Sequence, residues 1–342
     1  MSLRNSPALL LCLALLGTTS CSEKPLLEGA RMDRLGELAG RVEQERLMGL
    51  VQELVTAHQE DTPVYCSEFE NILDEKVRDT LCHLTRDRSG ALMQSRLESL
   101  GLRVQRQDSS SGSPFTTSNI IAELPGTTRP WEIVLVGAHF DAFYGGADDN
   151  STGVAAVLEL ARVLSQYRFE RTIRFVGFDL EELGLVGSSR YVEEALGPDE
   201  IVASVVFDCI GFYSSLPGSQ RSIPGLPSPT SGDFLAAIGN GVSSRRASEL
   251  YALNDALQLT KVVPILAPAD GASPVGGNLM RSDHTPFWLT GHDALFLTDT
   301  ANFRNPHYHQ RTDTVETLDP VSFRRTVQLS AAALAFWAGG PQ

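Results

Sequence analysis

Five residues able to bind a metal ion follow one another as His139, Asp149, Glu182, Asp208 and His309. Imidazole nitrogens and carboxylate oxygens are donors that zinc takes at roughly 2.0–2.2 Å, and catalytic sites leave a position open for water. A pair of zinc ions roughly 3.5–4 Å apart calls for a carboxylate shared between them, and Asp149 is the candidate for that position. His139 and Asp208 then complete one shell, Glu182 and His309 the other. Three carboxylates and two neutral imidazoles around two divalent cations leave a net positive centre, in which the pKa of a bound water can fall to about 7.

The neighbours of these residues suggest further roles. Glu181 and Glu182 adjoin on a turn and cannot both point at one ion, so Glu182 is read as ligand and Glu181 as the general base that takes a proton from water and passes it to a leaving amine. Asp141, two residues after His139, suits a role holding the imidazole tautomer. Tyr308, just before His309, is placed to donate its hydroxyl to a developing oxyanion.

Converging these residues requires strands. Ile133–Val136 is continuously apolar, as a strand covered on both faces should be, and runs through Gly137-Ala138 into His139. Thr172–Phe178 ends in Asp179-Leu180-Glu181-Glu182, and Ile201–Phe207 ends in Asp208. Loops leaving the carboxyl ends of parallel strands meet in one crevice. The turn-rich stretch Gly145–Gly153 puts Asp149 just before a predicted helix beginning at Val154. Taken singly these features are ordinary, since Glu-Glu is commonly a solvated helix face and Asp before a helix is commonly a cap. Their conjunction, three strand ends and one helix start in a consistent order, is what points to metal chemistry.

Gly137-Ala138-His139-Phe140-Asp141, Ala147–Gly153, Asp179–Gly184, Phe207-Asp208 and Asn305–Thr314 together resemble the co-catalytic zinc aminopeptidases related to secreted bacterial leucyl aminopeptidases, over roughly residues 115–340. The resemblance implies a three-layer α/β/α sandwich around a mixed, mostly parallel sheet, two Zn2+ per chain, peptide substrates, and hydrolysis of N-terminal residues. It also implies that Asp149 rather than Asp148 is the bridge, that His309 rather than His307 is the last ligand, and that Tyr308 supports the oxyanion. Ser282–Phe287 fits the family too, with His284 read as structural or as a support behind the ligands; His58, His83 and His292 carry no such context. Gln310 stands where the family usually has Thr. Other readings are a carboxypeptidase of the same fold, for which Arg304 is the nearby cation, a glutaminyl cyclase working with one zinc, and a non-catalytic surface binding module.

Ala8–Leu16 is too short to span a bilayer, which needs about 20 apolar residues, and suits a signal-peptide core. Thr18-Thr19-Ser20 before Cys21 resembles a bacterial lipobox, with Ser22 resembling outer-membrane sorting, so the expectation is a chain exported and lipid-anchored at Cys21 to a bacterial envelope membrane. The expected organisation is a signal peptide over 1–20, a tether over 21–30 and a peptidase domain over 31–342. Helices are expected over Leu35–Ala57 and Pro320–Trp337, strands over Gly101–Gln107 and Asn119–Leu124, a hairpin-like loop over Ser109–Ser113, and an active-site loop over Gly211–Gly232. Ser67–Glu70 reads as a capping box opening a helix through Leu84, which would hold Cys66 and Cys82 roughly 24 Å apart at 1.5 Å per residue and unpaired. Cys209 reads as free and buried. A net charge of -14 disfavours nucleic acid as a partner.

Overall fold

The structure is a computed structural model that describes residues 29–273 and 276–342. The signal-peptide run, Cys21 and residues 21–28 of the expected tether lie outside the described residues. Among the described residues no helix is long and apolar enough to cross a membrane.

Eight strands form one sheet: β1 (Arg103–Ser109), β2 (Thr117–Leu124), β3 (Arg129–His139), β4 (Arg171–Phe178), β5 (Glu200–Phe207), β6 (Leu235–Gly239), β7 (Val262–Leu266) and β8 (Leu295–Thr298). Their spatial order is β1-β2-β4-β3-β5-β8-β6-β7. The four central strands are mutually parallel. Direction reverses at β2 on one side and at β6 on the other, giving a mixed, mostly parallel sheet. Strand β3 lies between β4 and β5, so the connections that follow it leave to opposite sides. That arrangement opens a crevice at the carboxyl end of β3.

Alternation along β3 separates two cores. Val134, Val136 and Ala138 pack into one layer with α1 (Gly29–Gly40), α2 (Gln44–Gln59), α4 (Asp87–Ser99), α5 (Gly153–Leu164), α7 (Ser244–Leu257) and α9 (Pro320–Trp337). Ile133 and Leu135 pack into the other, against Tyr191 and Val192 beyond α6 (Val186–Arg190) and Phe287 and Trp288 of α8 (His284–Leu289). Both faces of the strand are therefore dry, which is why it reads as an unbroken apolar run. The three-layer α/β/α expectation holds.

Several local expectations are corrected. The helix expected over Leu35–Ala57 is two, broken at Arg41–Glu43, where Glu43 N donates to Glu159 Oε1 of α5 at 2.9 Å. Residues 29 and 30, assigned to the tether, open α1. The helix expected from Ser67 is a single tight turn, Cys66–Phe69, followed by a bend and a short α3 (Glu75–Leu81). Asp74 starts α3 by accepting from Lys76 N and Val77 N, while the Ser67 hydroxyl spends itself on the neighbouring Glu68 carboxylate. The apparent stripe does not pack, since Leu73 is 98% exposed. Reversal at the bend brings the two cysteine Cα atoms within 4.4 Å, and Cys66 and Cys82 form a disulfide. Cys209 is free and buried, as expected.

Candidate metal centre

All five predicted ligands converge. His139 closes β3, Asp208 follows β5, and Glu182 follows β4 by four residues. Glu182 stands on the loop after β4, and His309 comes from a loop 305–313. His139, Asp149 and Asp208 each offer a ligand atom within 4.8 Å of the others, and so do Asp149, Glu182 and His309. Asp149 belongs to both groups and divides its oxygens between them. Its Oδ1 lies 3.4 Å from His139 Nε2, and its Oδ2 lies 2.9 Å from His309 Nε2, which is 3.1 Å from Glu182 Oε1.

These atoms are close without being aligned as hydrogen bonds. His139 Nε2, Asp149 Oδ2, Glu182 Oε1 and His309 Nε2 are buried and have no hydrogen-bond partner. Buried polar atoms are rarely left so. Four such atoms, all of metal-ligand type and gathered into two groups that share Asp149, are a donor set that could hold metal ions.

The supports explain the geometry. His139 Nδ1 lies 3.0 Å from the backbone carbonyl of Asp141, an acceptor that fixes the ring proton on Nδ1 and turns Nε2 toward the cluster. Asp141 thus orients the imidazole mainly through its main chain, with its Oδ1 further off at 3.5 Å. Its carboxylate instead accepts from Glu181 N and Glu182 N, each at 3.1 Å, and so ties the two acids to the strand carrying His139. The Asp149 turn is held by neighbours that sequence alone did not single out. Asp313 accepts from Asp148 N and Asp149 N, while Asp148 accepts from Gly211 N and Asn305 Nδ2. Asn150 Nδ2 donates to Phe207 O at the end of β5, and its Oδ1 accepts from Gly153 N. A side chain at Gly153 would sit 2.3 Å from that Oδ1, so the cap requires glycine. Asp148 and Asp313 were visible in the motifs as residue types, but nothing in composition marks a carboxylate whose job is to accept backbone N–H groups.

Charge is concentrated here. Burial pushes Glu182 up to about 7, opposed by His309 and reinforced by Asp149. Burial also holds Glu181 well above the usual carboxylate range, with Glu182, Asp208 and Asp283 adding to it and His139 opposing. Burial disfavours the His309 cation, yet Glu182 and Asp149 raise it to about 10. Asp283, buried and near Glu181, is raised to about 7, chiefly by burial. The carboxylates outnumber the imidazoles, which is the electrostatic condition for holding cations.

Tyr308 stacks on the His309 ring at 3.8 Å between centroids, and its hydroxyl accepts from Arg281 Nη2 at 3.3 Å, leaving the phenolic proton to donate. Beside Asp208 opens a small solvent-connected cavity with Ile223, Phe296, Phe303, Tyr308 and Arg281 in its walls; Ile223 comes from the predicted 211–232 loop. Gln310 turns back to donate to His309 O and does not form a wall of that cavity.

Other predicted residues fall outside. His284 is structural: Nε2 meets Leu279 O at 2.7 Å, the ring stacks on Phe296, and burial lowers its pKa to about 4. His307 pairs with Thr312 Oγ1. Arg304 is buried, donating to Gln220 Oε1 and Phe212 O with its guanidinium over Phe234 and its Nη2 without a partner, and it does not line the cavity.

Residues 119–334 match the model of Peptidase family M28. The uncharacterized protein YfbL of Escherichia coli is 30% identical over 68% of this chain and 75% of its own length. Aminopeptidase YwaD of Bacillus subtilis is 33% identical over 64% of this chain, and the match spans 44% of YwaD. Among solved structures, LapA of Legionella pneumophila superposes with a TM-score of 0.65 at 16% identity over 95% of this chain and 81% of its own, a likeness of fold. BSAP, a zinc aminopeptidase from Bacillus subtilis, superposes with a TM-score of 0.51 at 25% identity over 65% of this chain and 50% of its own.

Proposed function

The chain belongs to peptidase family M28, and from that premise we propose that it is an aminopeptidase that holds two zinc ions and releases N-terminal residues from peptides. The observation that carries this reading is the division of the Asp149 carboxylate between two ligand triads whose remaining atoms lack partners. His139, Asp149 and Asp208 would hold one ion, and Asp149, Glu182 and His309 the other. Bound there, zinc would supply Lewis acidity toward the peptide carbonyl and acidify water.

The chain's own groups carry the rest. Glu181 is buried, is anchored through its amide to Asp141, and has a carboxyl whose pKa is held well above the usual carboxylate range, chiefly by burial. A carboxylate of raised basicity is suited to take a proton from the attacking water and return it to the leaving amine. The Tyr308 hydroxyl is free to donate to the oxygen on which charge develops. The cavity beside Asp208, walled by Ile223, Phe296 and Phe303, would receive the first side chain of the substrate. Arg304, the cation named for a carboxypeptidase reading, is bonded to Gln220 and Phe212 and does not line the cavity, but Arg281 does, so the amino-terminal reading leans on relatives such as Aminopeptidase YwaD and not on the want of a cation.

An exported protein is the matching setting. The Cys66–Cys82 disulfide favours an oxidising compartment, in keeping with a lipid anchor at Cys21 on a bacterial envelope membrane, with peptides rather than nucleic acid as partners. The test is metal analysis together with turnover of free amino-acid amides against N-blocked and C-terminally free peptides. Two zinc ions per chain, cleavage only of substrates with a free amine, and loss of turnover with chelator are expected. Hydrolysis of N-blocked peptides from their carboxyl end would overturn the aminopeptidase reading, and turnover unaffected by metal removal would overturn the zinc chemistry.

A further inference from the structure

We propose that the cross-linked segment Cys66–Cys82 positions His309 by way of Arg311, so that a disulfide on the surface sets the order of the loop carrying one ligand of the centre. For its metal arm this rests on the two-cation reading above; its central claim concerns the loop.

Three groups of contacts join the segment to the site. Leu84–Thr85, separated from Cys82 by His83 alone, pairs antiparallel with Ala142–Phe143, the residues that follow His139 and Asp141. The Phe143 ring meets His309 edge-on at 4.9 Å. On the far side of the same loop, Arg311 lies over the Tyr144 ring at 4.6 Å and donates to His83 Nε2 at 3.0 Å and to Asp79 Oδ2 at 3.4 Å. A guanidinium can only donate, so His83 accepts on Nε2 and its Nδ1–H faces Asp79 O at 2.6 Å. Tyr144 O–H in turn donates to Asp79 Oδ2 at 3.1 Å.

Loop 305–313 therefore has two different anchors. Asp313 and Asn305 fasten its ends to the Asp148–Asp149 turn, whereas its middle rests on Asp79, His83 and Tyr144 through Arg311. His309 stands in that middle stretch, in a left-handed backbone conformation with φ of 56°. A single exposed ion pair contributes little to order. Here three partners share one guanidinium, and two of them belong to a segment otherwise secured by the disulfide and a small cluster around Leu84, Phe143 and Leu180. Without the cross-link the 15 residues between the cysteines gain conformations in which Asp79 and His83 no longer face Arg311.

The experiment compares amide hydrogen exchange over residues 305–313 in the full chain, oxidised and after treatment with a dithiol, and in Arg311→Ala, Arg311→Lys and Arg88→Ala variants. Reduction gives each sulfur one electron and one proton as the dithiol closes to its own disulfide; thiol titration confirms two new thiols. Exchange over 305–313 is expected to rise about tenfold on reduction and in Arg311→Ala, with Arg311→Lys intermediate, while peptides from β3 and β5 stay as they were. Arg88 makes a comparable exposed pair with Glu60 at 3.2 Å away from the loop, and its removal should leave 305–313 unchanged. In competition with a chelator, reduced protein and Arg311→Ala should release one of two ions about tenfold more readily and keep the other. Parental exchange over 305–313 in either the reduced protein or Arg311→Ala would overturn the proposal, whatever the metal content. A parental protein that binds no zinc would instead sink the zinc reading and leave the exchange result to decide this one.

Discussion

The two halves of the centre are built by different means. His139 and Asp208 end strands β3 and β5, both flanked by hydrogen-bonded neighbours, and His139 has no exposed surface. Glu182 and His309 stand on loops, and the His309 side chain is 27% exposed. The first half is located by the ladder of the sheet, which fixes a residue as soon as its strand forms. The second is located by side chains that reach across from elsewhere, namely Asp141 for Glu182 and Asp313 and Arg311 for His309. Asp149, which faces both, is where the two schemes meet.

That junction is the place to strike hardest. Asp149→Ala removes the one carboxylate common to both triads, so both ions should be lost and turnover of amino-acid amides should fall to the level of chelated protein, checked by zinc analysis and a rate assay. Retention of one ion at full occupancy would mean that the triads are independent. Glu181→Gln comes next: both ions should remain, while kcat drops about 10²–10⁴-fold, the range for a positioned general base. Parental turnover in that variant would end the assignment of Glu181.

The same contrast explains what could be read from the amino-acid order. Residues at the ends of β3, β4 and β5 were legible because strands buried on both faces are continuous apolar runs, and the polar residue that ends such a run is conspicuous. The α9 helix matched its expected bounds, Pro320–Trp337, because Pro at the first turn and a capping Asp319 mark its start. In the loop-built half Glu182 was legible from the end of β4, whereas the choice of His309 over His307 came through the resemblance to a family. Asp148, Asp313 and Arg311 act by accepting backbone N–H groups or by stacking, roles that any loop polar residue is equally suited to fill. Residues 66–84 depart from their pattern for a related reason: apolar residues at helical spacing there do not form a packed stripe, since Leu73 and Val77 face solvent and Asp74 dictates a later start. Strand β6, Leu-Ala-Ala-Ile-Gly, is short and mixes the helix formers Leu and Ala with Ile and Gly, so its composition does not mark it and its pairing with β8 on one side and β7 on the other makes it a strand.

Paired substitutions sharpen the contrast. His139→Ala removes a side chain that is 0% exposed and leaves the carboxylates of Asp149 and Asp208 without the imidazole between them, so it should lower the thermal midpoint with or without zinc. His309→Ala lies at the rim and should release one ion with a much smaller change in the midpoint of chelated protein. Removing one partner from a fully buried polar set costs about 3–5 kcal/mol, whereas a partly exposed group costs a fraction of that. Equal midpoints for the two chelated variants would show that the loop half bears as much of the fold as the strand half.

The smallest expected effect concerns pH and the junction between the helical layer and the strand-built half. His58, at the end of α2, is buried with Nδ1 2.9 Å from Thr85 Oγ1, in the short strand paired to Ala142. Burial lowers its pKa to about 4, against the raising effect of Asp141 and Asp61. The unfolded chain, with an ordinary histidine near 6.5, then binds more protons than the folded one between those limits. Stability must rise with pH across that interval and be lost as pH falls from about 6.5 toward 4. A depression of this size is linked to at most about 3 kcal/mol, fully missing only below the folded pKa. His58→Gln keeps a polar group facing Thr85 but cannot titrate, so its unfolding midpoint should decline less than the parent's between pH 7 and pH 5. Because the linkage acts through Thr85 and Ala142 on the strand-built side, the decline should be the same in oxidised protein and in Arg311→Ala; parallel pH curves for the parent and His58→Gln would remove His58 as its source.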